Sequence, residues 1–281
     1  MRWARGFGIV SLCLATLTAA APMARADNLL ENSMIDLEYI PPDNPNYAVD
    51  YAIVQRLRVL DQLKAFLAPL RLPRKLKVVT TQCGMTNAFY EPYQSRLVIC
   101  YEWVSWIRRI APLYTSDDGI TRDTAIVGAF VQVTLHELGH AVIHMLKVPV
   151  FGREEDAADQ IAAFLMLQFG RENAKRTLSG AAYFWGALIE QSSFTTQTAF
   201  SDVHGTEAQR FYNHLCIAYG GDPEDFQIYV DRGILPAYRA RQCSAEYNQI
   251  YYAFSQTIAK HIDFQLAREV QSREWLPPPP N

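Results

Sequence analysis

This 281-residue chain leans toward neither sign of charge: 26 Lys and Arg stand against 29 Asp and Glu, a net of −3. It therefore has no basic face for a nucleic acid and no acidic tail, and no nucleic-acid partner is expected. Internal repeats, heptads and Gly/Ser-rich linkers are missing too, which excludes a solenoid, a coiled coil and a string of tethered domains. Cysteine is sparse, and the five present include no close-set pair of the kind that structural zinc sites use. Past the N-terminus there is no uninterrupted apolar run. The most apolar stretch, Thr124 to Leu146, carries His136, Glu137, His140 and His144 in its second half, so no stable membrane insertion of the mature chain is expected. What is present, 49% hydrophobic and 20% charged residues, is a globular composition.

The first residues read as an export signal. Arg2 and Arg5 precede an apolar stretch from Phe7 to Ala21, and the small residues of Ala24-Arg25-Ala26 suit cleavage after Ala26. Removing three arginines and no acids takes the net charge from −3 to −6. The expected location is periplasmic or extracellular. Cys13 leaves with this segment. Cys83, Cys100, Cys216 and Cys243 remain, an even number that suits disulfides in an exported chain, and of the three pairings proximity favours Cys83–Cys100 and Cys216–Cys243.

Residues 27–49, rich in Pro and Asn, read as an irregular arm, and whether it lies over a cleft stays open. Residues 50–276 read as one domain and 277–281 as a Pro-rich tail. Apolar spacing predicts a helix over 50–70. Strands follow at 75–81, 86–90 and 96–101, then helices at 102–111, 122–147, 154–170, 172–190, 206–219, 223–231 and 244–270. Strands early and helices late make an α+β chain.

The chemistry gathers in Val133-Thr134-Leu135-His136-Glu137-Leu138-Gly139-His140, an HExxH motif on a predicted helix. Residues four apart share a helical face, so His136 and His140 can present their imidazoles to one zinc ion with Glu137 beside it as general base. Such a pattern arises by chance about once in a hundred chains of this composition, so its surroundings must carry weight. Two imidazoles and a carboxylate among Val131, Val133, Leu135, Leu138 and Val142 need partners that a metal supplies. Fifteen residues after His140, Glu155 and Asp159 share a face of the next helix, and Ala158 and Ala162 let that helix come close. Glu155 can be the third ligand while Asp159 accepts a hydrogen bond from a ligand imidazole. Glu154 reads as an ordinary acidic helix start, and Asp156 stays open. His144 reads as support behind the ligands or as structural, and His214 and His261 as satisfied surface or core residues.

HELGH followed by Glu155-Asp156-Ala157-Ala158-Asp159 resembles the gluzincin metallopeptidases, such as thermolysin and the HtpX-like peptidases. Asn87-Ala88-Phe89-Tyr90 resembles the edge strand with which those enzymes bind substrate main chain, which implies that Asn87 and Ala88 meet the peptide. His204-Gly205-Thr206-Glu207-Ala208-Gln209-Arg210 resembles the HtpX-like pattern His-Pro-x-x-x-x-Arg, with Gly in place of Pro. That implies an oxyanion-stabilising His204 and an ordering role for Arg210. Over most of its mature length the chain is similar to an uncharacterised family of bacterial metallopeptidases. The resemblance implies a zincin-like fold, one Zn2+ per chain, and a peptide or protein substrate cut by a Glu137-activated water; the sequence shows no motif for capturing a free N-terminus, which favours an endopeptidase. It departs from HtpX-like enzymes in lacking a mature spanning segment, and from thermolysin in its nearer third ligand. The alternative is a zinc-stabilised or disulfide-stapled binding module without catalysis.

Overall fold

The computed structural model describes residues 32–191, 201–273 and 275–276. The signal-like segment and the Pro-rich tail lie outside these. The architecture is α+β: a four-stranded mixed sheet near the N-terminus, followed by a mostly helical remainder.

The sheet is built from β1 (Ile35–Tyr39), β2 (Leu76–Thr81), β3 (Ala88–Glu91) and β4 (Arg96–Cys100) in the order β1-β2-β4-β3. β1 and β4 run parallel to β2, and β3 runs antiparallel to β4. β1 corrects the reading of residues 27–49 as an irregular arm. All three prolines and two of the four asparagines of 27–49 fall in 41–46, whereas Ile35-Asp36-Leu37-Glu38-Tyr39 alternates apolar with charged, the period of an edge strand. Lys75 pairs with Asp36 at 2.9 Å across the β1–β2 boundary, and Lys77 pairs with Glu38.

The expected helix over 50–70 is two helices, α1 (Ala48–Leu57) and α2 (Val59–Phe66), separated by Arg58 at φ 47°. No Gly or Pro marks that break, so the apolar spacing runs through it unnoticed. α2 and the residue that ends it lay Leu60, Leu63 and Leu67 on the sheet face formed by Ile35, Leu76 and Leu97.

After β4 come α3 (Tyr101–Ile110), α4 (Arg122–Leu146), α5 (Glu154–Met166) and α6 (Arg171–Gln191). α5 stops short of the expected 170, because residues 167–169 tighten into a 3-10 turn before Gly170 at φ 83°. Then follow α7 (Glu207–Gly221), α8 (Pro223–Asp231), α9 (Ala237–Thr257) and α10 (Phe264–Gln271). The single helix expected over 244–270 is therefore α9 and α10, parted where the Asp263 carboxylate caps α10 by accepting from the backbone N–H of Gln265 and Leu266.

α4 is apolar around its whole circumference because it is the central helix, buried among the sheet, α5 and α6. It alone among the described residues is long and apolar enough to cross a membrane, and it spends that apolarity on the core. Two close approaches fix its neighbours. A Cβ on Gly128 would lie 2.5 Å from the Thr177 carbonyl of α6, and one on Gly139 would lie 2.9 Å from the Ala158 Cα of α5. The Gly139–Ala158 contact brings the acidic turn of α5 against the histidines of α4. Cys83–Cys100 and Cys216–Cys243 are disulfide-bonded, with S–S distances of 2.13 and 2.03 Å.

Candidate active site

His136, Glu137 and His140 project from α4, Glu155 and Asp159 from α5, His204 from the segment before α7, and Arg210 from α7. Three atoms from two helices meet in one place. The Nε2 atoms of His136 and His140 are 3.3 Å apart, and Glu155 Oε2 lies 3.1 Å from the first and 3.2 Å from the second. For ligand bonds of about 2.0–2.1 Å, a tetrahedral zinc site has ligand–ligand edges of about 3.3 Å. The triangle fits such an ion, and two imidazoles with one carboxylate form a donor set that zinc favours. His204 Nε2 also reaches Glu155 Oε2, at 3.0 Å, so its imidazole faces the same point.

Each histidine is aimed through its other ring nitrogen. His136 Nδ1 is 2.8 Å from Asp159 Oδ1, as the shared face of α5 predicts. Asp159 is itself held by Arg210 through two bonds of 2.7 and 2.8 Å and by the Gln132 amide at 3.1 Å. His140 Nδ1 is 2.8 Å from Glu154 Oε1. Glu154 is thus no plain helix start, which corrects the sequence reading. The available signal was that a ligand imidazole needs a partner on its second nitrogen, and His140 had been given none. Asp202 was missed as well; it accepts from the His204 backbone N–H at 2.8 Å and lies 3.0 Å from Nδ1. Asp156 pairs with its neighbour Arg153. His144 shares a 3.0 Å hydrogen bond with the Tyr90 hydroxyl, joining α4 to β3, and buried His214 bonds the Leu178 carbonyl.

Electrostatics follow from this packing. Burial alone would lower the His136 pKa, but Asp159 and Glu155 push it up to about 9. Burial would raise Glu155 and Asp159; the three imidazoles around the first, and Arg210 with His136 around the second, hold both far below the ordinary carboxylate range. Glu137 differs: burial raises its pKa, and the neighbouring histidines offset that only in part. The anionic pair thus sits where a cation is needed, beside a carboxylate poised to take a proton.

β3 forms an edge of the sheet above this site. The Cys100 N–H donates to the Asn87 carbonyl at 3.1 Å, so Asn87 faces inward to β4. By antiparallel alternation, the N–H and C=O of Ala88, opposite Ile99, point to the outer edge. The turn before Asn87 is fixed by the Cys83–Cys100 bridge and by Glu102, whose carboxylate accepts from the backbone N–H of Cys83 and Gly84. Two cavities flank Glu137 and His204 along this edge. One of about 410 Å³ contains Trp103, Trp106 and Trp185; the other, of about 690 Å³, runs past Tyr90, His140 and Arg153. Asn87 and Ala88 line both.

A family model described as "Putative metallopeptidase" matches residues 39–258, which take in strands β2 to β4, the HExxH helix, Glu155 and Asp159 of α5, and the His204–Arg210 segment. Searches of curated proteins and of solved structures return no significant match.

Proposed function

The chain belongs to this metallopeptidase family, and from that premise we propose that it is an exported zinc endopeptidase of the gluzincin type. The observation that carries the reading is the 3.1–3.3 Å triangle of His136, His140 and Glu155 beside buried Glu137, under a strand edge with outward-facing backbone groups. His136, His140 and Glu155 would hold the zinc ion. When bound, zinc supplies Lewis acidity, lowering the pKa of a coordinated water and polarising the scissile carbonyl.

The protein's own groups do the rest. An extended peptide pairs with the outer edge of β3 at Ala88, which sets its backbone across the site. Glu137 takes a proton from the attacking water and passes it to the leaving amine; its raised pKa suits a group that must both hold and release it. His204, turned by Asp202, donates through Nε2 to the oxygen that gains charge on the scissile carbonyl. Asp159 and Arg210 keep His136 in position.

Metal analysis beside peptide hydrolysis tests this. About one zinc per chain is expected in the wild type and none in His136→Ala, and Glu137→Gln should keep its metal and lose hydrolysis. A metal-loaded Glu137→Gln protein that still cuts peptides at the wild-type rate would remove Glu137 from its role. Zinc without hydrolysis of any peptide would favour the binding-module reading.

A further inference from the structure

The two sides of the cleft differ in chemistry. One runs past Phe89, Tyr90 and Pro92 to Arg153, Glu154 and Glu155. The other is walled by three indoles, Trp103 and Trp106 from α3 and Trp185 from α6, with Val133 and Leu188 beside Glu137, and its lining also includes Asp202, Glu207 and Arg210. These rings are braced. Trp103 and Trp106 meet at 4.9 Å with planes 69° apart, and both pack edgewise on Phe184 from behind, at 5.5 and 5.4 Å. The Arg210 guanidinium lies 4.1 Å over the Trp185 ring and fixes that wall against the buried end of the site.

The cavity, about 410 Å³, is within the range of small-ligand sites, and it opens beside the proposed base. Trp103 and Trp106 remain only half-buried although each carries a large apolar surface, which water covers at a cost unless something enters. A flat ring entering there would meet indole faces and edges at the offset and T-shaped angles that aromatic pairs prefer. A small side chain would cover little of these indole surfaces.

Resting on the peptidase reading, we infer that this tryptophan-walled cavity is the specificity pocket, and that the enzyme cuts bonds flanked on one side by a phenylalanine, tyrosine or tryptophan. The pocket's indole walls come from α3 and α6, while the metal-binding residues come from α4 and α5. Its selectivity can therefore be altered without touching the ligands.

The test uses metal-loaded full-length protein and a series of blocked peptides varied at one position. For the wild type, kcat/KM beside an aromatic residue should exceed that beside glycine by about 100-fold, the discrimination expected from burying one large ring. Trp106→Ala, which opens the pocket, and Leu188→Phe, which fills it, should each lower that aromatic-to-glycine ratio at least about tenfold with metal content unchanged. A general folding defect would lower both rates and leave the ratio alone.

Binding is read separately in metal-loaded Glu137→Gln protein, by intrinsic tryptophan fluorescence titrated with a blocked phenylalanine peptide and its alanine counterpart. Saturable change with the first only, lost in the Leu188→Phe double variant, supports the pocket. Aromatic binding without hydrolysis of any peptide by the wild type would sink the peptidase reading and leave the pocket standing. Hydrolysis indifferent to aromatic residues, or equal binding of both peptides, would overturn the pocket assignment.

Discussion

The inner wall and the outer rim of the site hold the same kind of histidine by different means. His136 is buried, and its partner Asp159 is bonded in turn by Arg210 and Gln132, with side chains of Asp159 and Arg210 only 19% and 14% exposed. His140 lies nearer the surface, and its partner Glu154 is 51% exposed. A hydrogen bond shielded from water is stronger and is screened little by salt, whereas an exposed carboxylate competes with solvent. The inner wall should therefore fix the metal site, and the rim should only trim it.

The largest expected effect comes from Asp159→Asn. It should weaken zinc binding about 100-fold in competition with a chromogenic chelator. It should also lower the stability of the metal-free protein by roughly 3 kcal/mol, because the Arg210 charge loses its buried partner. His214 on α7 lies behind the same wall, and burial lowers its pKa to about 4. The folded ring is neutral while the unfolded chain takes up a proton below about pH 6.5, so its contribution is fully present above that pH and lost as pH falls through about 4. That loss is on the order of 3 kcal/mol. Urea unfolding from pH 7 to pH 4 should show it in the wild type and much less of it in His214→Gln.

Gly139→Ala tests what joins wall and rim. The added Cβ would meet the Ala158 backbone at 2.9 Å, so α5 must move outward and carry Glu154, Glu155 and Asp159 with it. An overpacking cost of about 1–3 kcal/mol is expected, with weakened zinc binding by calorimetry. The smallest effect belongs to Glu154→Gln, about 1 kcal/mol or less in zinc binding and fading as salt is added. If Glu154→Gln cost as much as Asp159→Asn, the distinction between wall and rim would collapse.

What the sequence disclosed and what it hid follow from the range of the interactions. His136, Glu137, His140, Glu155 and Asp159 were legible because helical periodicity places residues four apart on one face whatever surrounds them. The cysteine pairs and three of the four strands were legible because they are close in sequence. Glu154 was hidden because an acid at a helix start has an ordinary explanation, and only its 2.8 Å approach to His140 supplies another. The α1–α2 break was hidden because Arg58 carries no conformational signature. The tryptophan cavity could not be read at all: Trp103 and Trp185 are 82 positions apart and meet only through the packing of α3 and α6 around Phe184.

β1 carries a consequence for how this protein could be controlled. It occupies the sheet margin opposite β3, with β2 and β4 between it and the edge beside the HExxH helix. All of β1 pairs with β2, from Ile35 beside Leu76 to Tyr39 beside Thr80. Trimming the chain through Ile35–Tyr39 would therefore not lift a plug from a dormant zymogen. It would strip a strand from the scaffold and bare the β2 margin, so any proteolytic maturation compatible with a working enzyme has to stop before Ile35.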